Sequence, residues 1–85
     1  MKSFSYTVKD QLGIHARPAG LLVKAAKQFS STIQINKNGQ CVDAKKLMAL
    51  LGLGVRCNDS VTVSVEGEDA DVAVQAMQDF FRQNL

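Results

Sequence analysis

The segment 13–20 constrains the fold of this chain more than any other, because it contains the only proline and the only histidine. Proline is favoured in the first turn of a helix, where its missing N–H would lack a partner in any case. Pro18 is followed at once by apolar residues at the spacing of an amphipathic helix: Ala19, Leu22, Val23, Ala26 and Phe29. The segment therefore predicts a loop that ends near His15 and a helix over about residues 16–29.

The start of this helix is a candidate site for an anion. Unpartnered backbone N–H groups and the positive end of the helix dipole both favour negative charge at a helix N-terminus. His15 lies just before that point, and Arg17 lies in the first turn. A neutral imidazole is a nucleophile, so these surroundings suit a transferred phosphoryl group. The spacing alone supports anion binding equally well.

Alternating apolar and polar residues indicate strands with one buried face. The apolar positions of the three clearest stretches are these: Phe4, Tyr6 and Val8; Ile33 and Ile35; Val61, Val63 and Val65. Asn38-Gly39 is the strongest hairpin-turn signal in the chain, since both residues tolerate a positive φ. It predicts a return strand over residues 40–43 that pairs with the strand before it.

Two further helices are predicted. Residues 47–53 form a short apolar run, and Gly54 fits its C-terminal end. Asp69 is expected to cap a last helix over about residues 70–84. The inward stripe of that helix is Ala73, Val74, Met77, Phe80 and Phe81.

The resulting order is βαββαβα, in an α+β chain. Two long helices can cover one face of a mostly antiparallel sheet and leave the other face to water. The pattern therefore predicts an open-faced sandwich, but it does not define the order of the strands in the sheet. With 85 residues, the chain is expected to form a single domain over residues 1–85.

Composition excludes several classes of function. A net charge of +2 is too small to indicate a nucleic-acid partner, and the aromatic residues of the first strand belong on the core face. No apolar run approaches the roughly 20 residues that cross a bilayer, and the first residues lack the apolar region of a signal peptide. We therefore expect a cytoplasmic protein without direct membrane insertion.

The two cysteines do not indicate a metal site. Cys41 and Cys57 have neither CxxC spacing nor a histidine-rich neighbourhood. In a reducing compartment both are expected to be free thiols. No metal and no cofactor is predicted.

The first helix carries a cationic face. Arg17, Gly20, Lys24 and Lys27 recur at helical spacing on the side away from the apolar stripe. Such a face is either solvated or a docking edge for an acidic partner. The docking edge would be contiguous with His15 through Arg17, but the sequence alone favours neither interpretation.

The short second helix is too apolar to bury every apolar residue that it carries. If Leu50 and Leu53 point inward, Met48 and Leu51 remain at least partly exposed, and Leu47 lies at the boundary. Exposed apolar patches commonly mark contact sites, unless neighbouring loops cover them. This helix is the stronger of the two candidate docking surfaces.

The motif Gly13-Ile14-His15-Ala16-Arg17-Pro18-Ala19 closely resembles the active-site motif of the histidine-containing phosphocarrier (HPr) family of the bacterial sugar phosphotransferase system. Similar residues of that family recur along the chain: Lys45, Leu47, Met48, Leu53-Gly54 and Glu66-Gly67-Glu68. The likeness covers the whole chain, including its length and its element order. It implies the strand order 1-4-2-3, with three helices on one face of the sheet.

The resemblance also implies a mechanism. His15 would accept a phosphoryl group at Nδ1 from phosphorylated enzyme I and pass it to the enzyme IIA domains of sugar permeases. Arg17 and the backbone N–H groups of Ala16 and Arg17, with Pro18 at the helix start, would hold the phosphate. Partners would dock on the first two helices. The chain would be a phosphoryl carrier rather than an enzyme, and a monomer.

One position departs from the regulated members of this family. They carry a serine immediately after the residue that matches Lys45, whereas this chain has Lys46. Lysine cannot accept that phosphate, so regulation by the family's serine kinase is expected to be absent. Lysine is also a poor N-cap whose charge opposes the helix dipole, at a cost of about 1 kcal/mol relative to serine. Asp43, three residues earlier, is expected to compensate in part.

The sequence also allows an alternative function. The chain would then be a related protein that docks partners as a regulatory module without relaying phosphate, or that serves a nitrogen-type or single-sugar branch. A pure binding module has no need of His15 beside Arg17, and both residues are present. The pattern therefore favours the carrier.

Overall fold

The chain folds in the predicted βαββαβα order, and the computed structural model describes all of residues 1–85. The elements are β1 (Lys2–Thr7), α1 (Ala16–Ala26), β2 (Thr32–Lys37), β3 (Gln40–Asp43), α2 (Leu47–Gly52), β4 (Ser60–Glu66) and α3 (Ala70–Asn84). No helix is long and apolar enough to cross a membrane.

The four strands form one antiparallel sheet in the order β1-β4-β2-β3. This is the order that the family resemblance implies, and it could not have come from the apolar pattern. β4 is central, because Val63 pairs with Phe4 on one side and with Ile35 on the other. The Asn38-Gly39 turn is confirmed, since both residues have a positive φ, of 53° and 86°.

The strand alternation divides the sheet into a buried face and an open polar face. Ile33, Ile35 and the three valines of β4 are buried, and the helices pack against this side. Phe81 of α3 lies fully buried there, with its ring edge-on to Phe4 and Tyr6 at centroid distances of 5.7 and 5.5 Å. On the open face, cross-strand hydroxyl groups pair with one another, for example Thr7 with Ser60 at 3.0 Å.

The first helix ends at Ala26, three residues before the predicted end. The N–H groups of Gln28 and Phe29 bond to carbonyls three residues back, so the backbone tightens into turns. The Phe29 carbonyl instead accepts a hydrogen bond from Lys45 Nζ at 2.8 Å. The Phe29 side chain still packs on the core, so its apolar spacing was a correct guide to burial but not to backbone conformation.

Asp69 occupies the N-cap position of α3, but the prediction that its side chain caps this helix is wrong. Its carboxylate accepts hydrogen bonds from the N–H groups of Ser30 and Ser31, at 2.9 and 3.0 Å, and from the Ser31 hydroxyl. These donors, the Ser31 hydroxyl first and the Ser30 N–H second, lower the pKa of Asp69 below its ordinary value. Asp69 therefore ties the turn after α1 to the start of α3.

Candidate functional site

The loop before α1 is held in place by a glycine that no other residue can replace without strain. Gly13 has a φ of +68°, and a Cβ at this position would lie 2.2 Å from the carbonyl oxygen of Val55. The same Val55 oxygen accepts a hydrogen bond from the N–H of Ile14 at 3.1 Å, and the Ile14 side chain is buried. Two residues in succession thus fix the backbone that leads to His15.

His15 is the N-cap residue of α1 and has extended backbone angles. Its carbonyl oxygen accepts the first helical hydrogen bond, from Ala19, at 2.9 Å. Its imidazole makes no capping hydrogen bond, and 36% of the side chain is exposed. The ring is therefore positioned by the backbone but remains free for an incoming group.

The first turn of α1 offers unpaired donors beside this ring. The N–H groups of Ala16 and Arg17 make no hydrogen bond with any other group of the chain. Pro18 lacks an N–H and is buried, and the first turn contains no acidic residue. The Arg17 side chain is exposed and forms no ion pair within the chain. The structure thus brings together the residues that the sequence singled out for holding an anion.

An open cleft of about 230 Å³ surrounds the imidazole. It is lined by Asp10, His15, Arg17, Pro18, Leu21, Gln83 and Asn84. No motif or periodicity of the sequence pointed to Asp10, Leu21 or the two amide residues. Gln83 and Asn84 lie almost 70 residues from His15 in the chain, and only the packing of α3 beside α1 brings them to the site. Asp10 is nearer in sequence, but its loop carries no periodic signal.

The predicted docking residues lie on α1, which lines this cleft, and on α2, which packs against α1, or directly at the ends of these helices. On α1, Lys24 and Lys27 are exposed and Gly20 is half-buried. On α2, Leu50 and Leu53 point inward as predicted, which leaves Met48 76% exposed, Leu47 exposed and Leu51 half-buried. α1 packs against α2, so the cationic and apolar surfaces are neighbours. Leu21, 44% exposed, adds an apolar residue that the stripe did not predict.

Lys46 is the N-cap residue of α2, and its side chain makes no capping hydrogen bond. The Asp43 carboxylate accepts from the N–H of Lys45 at 2.8 Å. That donor lies ahead of the helix, so the expectation that Asp43 compensates for the missing cap is not met by a hydrogen bond within the first turn. The start of α2 is exposed, uncapped and positively charged.

The described residues hold no group of three or more His, Cys, Asp or Glu side chains placed for a metal ion. Cys41 is exposed, Cys57 is half-buried, and both are free. The cleft offers one imidazole, one guanidinium, one carboxylate, two side-chain amides and the backbone donors at the helix start.

Fold and site together define a small α+β protein that presents a histidine at the open N-terminus of a helix, the arrangement of a phosphohistidine carrier. Residues 2–83 match the family model described as the PTS HPr component phosphorylation site. The chain is 37% identical over 78 residues to the phosphocarrier protein HPr of Mycoplasma capricolum, covering 92% of this chain and 88% of that protein. The chain belongs to the HPr family of phosphocarrier proteins of the phosphotransferase system, which serves sugar transport.

Solved structures agree with this assignment. The crystal structure of HPr-C-His from Thermoanaerobacter tengcongensis is similar with a TM-score of 0.93 and 38% identity, covering 98% of this chain and 93% of that one. A crystal structure of an HPr dimer from the same organism has a TM-score of 0.78 and 38% identity, covering 98% and 95%. Relatives of this chain have thus been crystallised in a dimeric form as well.

Proposed function

We propose that His15 accepts a phosphoryl group at Nδ1 from phosphorylated enzyme I and passes it to enzyme IIA domains of sugar permeases. One observation carries this proposal. An exposed imidazole stands at a helix start where two N–H groups and one guanidinium have no partner within the chain. Unsatisfied donors of this kind suit the oxygens of a phosphoryl group.

The transfer step requires little of the protein beyond positioning. The Nδ1 lone pair forms the new bond to phosphorus, while the bond between phosphorus and the donor's leaving atom breaks and its electron pair departs with the donor. The proton on Nε2 stays in place. Arg17 and the N–H groups of Ala16 and Arg17 stabilise the phosphoryl oxygens, and the same step in reverse delivers the group to the acceptor.

The weakness of these interactions suits a carrier. A helix terminus stabilises a nearby charge by about 0.3–1 kcal/mol. An exposed arginine pairing adds up to about 1 kcal/mol. Such modest stabilisation leaves the phosphohistidine able to transfer onward, whereas an enclosed and fully paired site would retain the group. The chain therefore acts as a carrier that alternates between partners and not as an enzyme in its own right.

The neighbouring surfaces of α1 and α2 support docking by protein partners. Arg17, Lys24 and Lys27 would meet acidic residues of enzyme I and enzyme IIA, while Leu47, Met48 and Leu51 would bury apolar area. We expect the chain to do this as a monomer in the cytoplasm, without nucleic-acid partners. A second copy bound across these helices would compete with the partners.

Labelling tests the transfer. Incubation with enzyme I and phosphoenolpyruvate should place an acid-labile phosphate on the wild-type chain and none on His15→Ala. An established carrier labelled in parallel serves as the control for enzyme I activity. The proposal is wrong if that control is labelled and the wild-type chain is not.

A matched pair of variants tests the apolar docking surface. Met48→Lys should raise the KM of enzyme I for this chain by about fivefold or more, since a charge would enter the centre of the contact. Val72→Lys is the control, because Val72 is a similarly exposed apolar residue, 65% against 76%, on α3. Equal effects of the two variants would show that α2 is not the contact.

A further inference from the structure

We propose that Asp10 is a positioning residue that keeps the proton of the neutral His15 ring on Nε2 and so leaves the Nδ1 lone pair free. Only the kinetic consequence of this role, its effect on the rate of phosphoryl transfer, rests on the proposed function. The state of the ring is a property of the chain by itself. It can be measured in the absence of any partner.

Hydrogen bonds to the backbone fix the position of Asp10 without any contribution from the His15 ring. Its backbone N–H donates to the main-chain oxygen of Leu85 at 2.9 Å, and its carbonyl accepts from the N–H of Gly13, also at 2.9 Å. Its Oδ1 accepts from the N–H of Leu12, again at 2.9 Å. The carboxylate therefore has a fixed place in the loop that does not depend on His15.

That fixed oxygen faces one particular nitrogen of the imidazole. Asp10 Oδ1 lies 3.9 Å from His15 Nε2, which is longer than a hydrogen bond but within the range of charge attraction. Hydrogen bonds at reaction sites are commonly long in the free protein and tighten when the partner binds. Asp10 is the only acidic residue of the cleft, and its carboxylate is the only acidic group recorded within 4 Å of the ring.

The carboxylate distinguishes the two neutral forms of the ring. An ionised carboxylate only accepts hydrogen bonds, and a neutral imidazole carries one N–H and one lone pair. With the proton on Nε2, a positively polarised N–H group lies 3.9 Å from the Asp10 oxygen and is attracted to it. With the proton on Nδ1, the atom at that distance carries a lone pair instead, which the carboxylate repels. The group near one nitrogen thus selects which nitrogen is the nucleophile.

Nothing else in the cleft opposes this selection. Arg17 is the only other group that is always charged, and it forms no ion pair with Asp10. Gln83 and Asn84 are neutral. The proton on Nε2 need not move during the transfer, because the new bond forms at Nδ1 and the electron pair of the broken bond leaves with the donor.

The decisive measurement is the ¹⁵N chemical shifts of the two ring nitrogens, taken at a pH where the ring is neutral. In Asp10→Asn the side-chain oxygen can still accept from Leu12, so the loop is kept and only the charge is removed. The ratio of the Nε2–H form to the Nδ1–H form should fall by about twofold and by no more than about fivefold, because the attraction of an exposed carboxylate to an N–H dipole does not exceed that of an exposed charge pair. High salt should lower the wild-type ratio and leave that of Asp10→Asn unchanged.

Asp43→Asn is the matched control. The Asp43 carboxylate also accepts a hydrogen bond from the N–H two residues on, that of Lys45 at 2.8 Å, but it forms no pair with His15. Its substitution should leave the ratio at the wild-type value. An unchanged ratio in Asp10→Asn, or an equal change in Asp43→Asn, would overturn the role of Asp10.

Single-turnover transfer from phosphorylated enzyme I supplies the kinetic test. Asp10→Asn should lower the rate constant by the same factor as the measured fraction of the Nε2–H form, with the half-saturating concentration of phosphorylated enzyme I unchanged because the docking residues are intact. A changed ratio with an unchanged rate would contradict the positioning role. If wild-type protein accepts no phosphate at all, the proposed transfer fails, whereas the ratio still decides whether Asp10 sets the proton.

Discussion

Two helices of this chain begin in the same way but use their beginnings differently. In both α1 and α3, the N-cap residue follows two positions after a glycine with a positive φ, Gly13 before His15 and Gly67 before Asp69. Each glycine lies against the backbone of another segment. A Cβ would come within 2.2 Å of the Val55 carbonyl oxygen at the first and 2.7 Å of the Ser31 Cα at the second.

The difference lies in which polar groups are already satisfied. The Asp69 carboxylate already accepts hydrogen bonds from Ser30 and Ser31. The His15 imidazole makes no hydrogen bond, and the N–H groups of Ala16 and Arg17 are unpaired. Polar groups that are bonded within the chain stabilise it, and those left open retain capacity for a ligand. The start of α3 is therefore a structural joint, and the start of α1 is the candidate site.

The sharpest test replaces each of the two N-cap residues by alanine, because one variant should lose function and the other should lose stability. His15→Ala should abolish phosphoryl acceptance and change the free energy of unfolding by no more than about 0.5 kcal/mol, because no contact of its side chain is lost from the core. Asp69→Ala should keep acceptance and lower the urea midpoint, because three donors lose their partner. Phosphate labelling and urea denaturation of both variants check this prediction. It is wrong if either variant loses both phosphoryl acceptance and stability.

The two glycines should resemble each other in stability and differ in function. Gly13→Ala and Gly67→Ala should each lower the free energy of unfolding by about 2–3 kcal/mol, through backbone strain and the clash. Gly13→Ala should also slow phosphoryl acceptance, since it displaces the backbone before His15, whereas the folded fraction of Gly67→Ala should react normally. Gly20→Ala, with nothing within 4 Å of the new Cβ, should raise stability by up to about 1 kcal/mol. A loss of stability in Gly20→Ala would contradict the assignment of the losses at Gly13 and Gly67 to their positive φ and close backbone contacts.

Acid pH should weaken the α3 joint, because the Asp69 carboxylate that accepts its hydrogen bonds becomes protonated. The Ser31 hydroxyl and the Ser30 N–H lower the pKa of Asp69 in the folded chain. Its stabilising contribution is therefore complete above the unfolded value of about 3.9 and is lost as the pH falls through the lower folded pKa. Asp69→Asn should flatten the acid limb of stability against pH. Asp59, whose pKa is lowered by the Arg56 N–H and then by Lys37, should contribute in the same direction. An acid limb identical to wild type in Asp69→Asn would contradict this assignment.

Local features of the fold were predictable and long-range ones were not. The Asn38-Gly39 turn and the inward Leu50 and Leu53 follow from residue type and spacing, which act over a few positions. The strand order and the partner of Asp69 depend on contacts between distant segments, which no periodicity encodes; the order came from the family resemblance instead. The end of α1 was misplaced because burial of Phe29 continues beyond the helix.

The candidate site shows the same division. His15, Ala16, Arg17 and Pro18 are neighbours in the chain, so the helix start that unites them was visible in the sequence. The opposite wall of the cleft comes from the end of α3, and Asp10 comes from a loop without a repeating pattern. The candidate residues at the helix start could therefore be named from the sequence, whereas the groups that surround them required the tertiary structure.

The smallest change in stability is expected at the start of α2, which differs from the starts of both α1 and α3. The Lys46 side chain makes no capping hydrogen bond and no ion pair, and its charge opposes the helix dipole. Lys46→Ala should raise the free energy of unfolding by up to about 0.5 kcal/mol by removing that charge, and Lys46→Ser by about 1 kcal/mol more, because serine supplies a cap. Equal stabilities of the alanine and serine variants would show that a side-chain cap does not stabilise this helix.

The same pair of variants tests regulation by phosphorylation. With the family's serine kinase and ATP, only Lys46→Ser should gain phosphate. A phosphoserine in the wild-type chain would contradict the absence of this control.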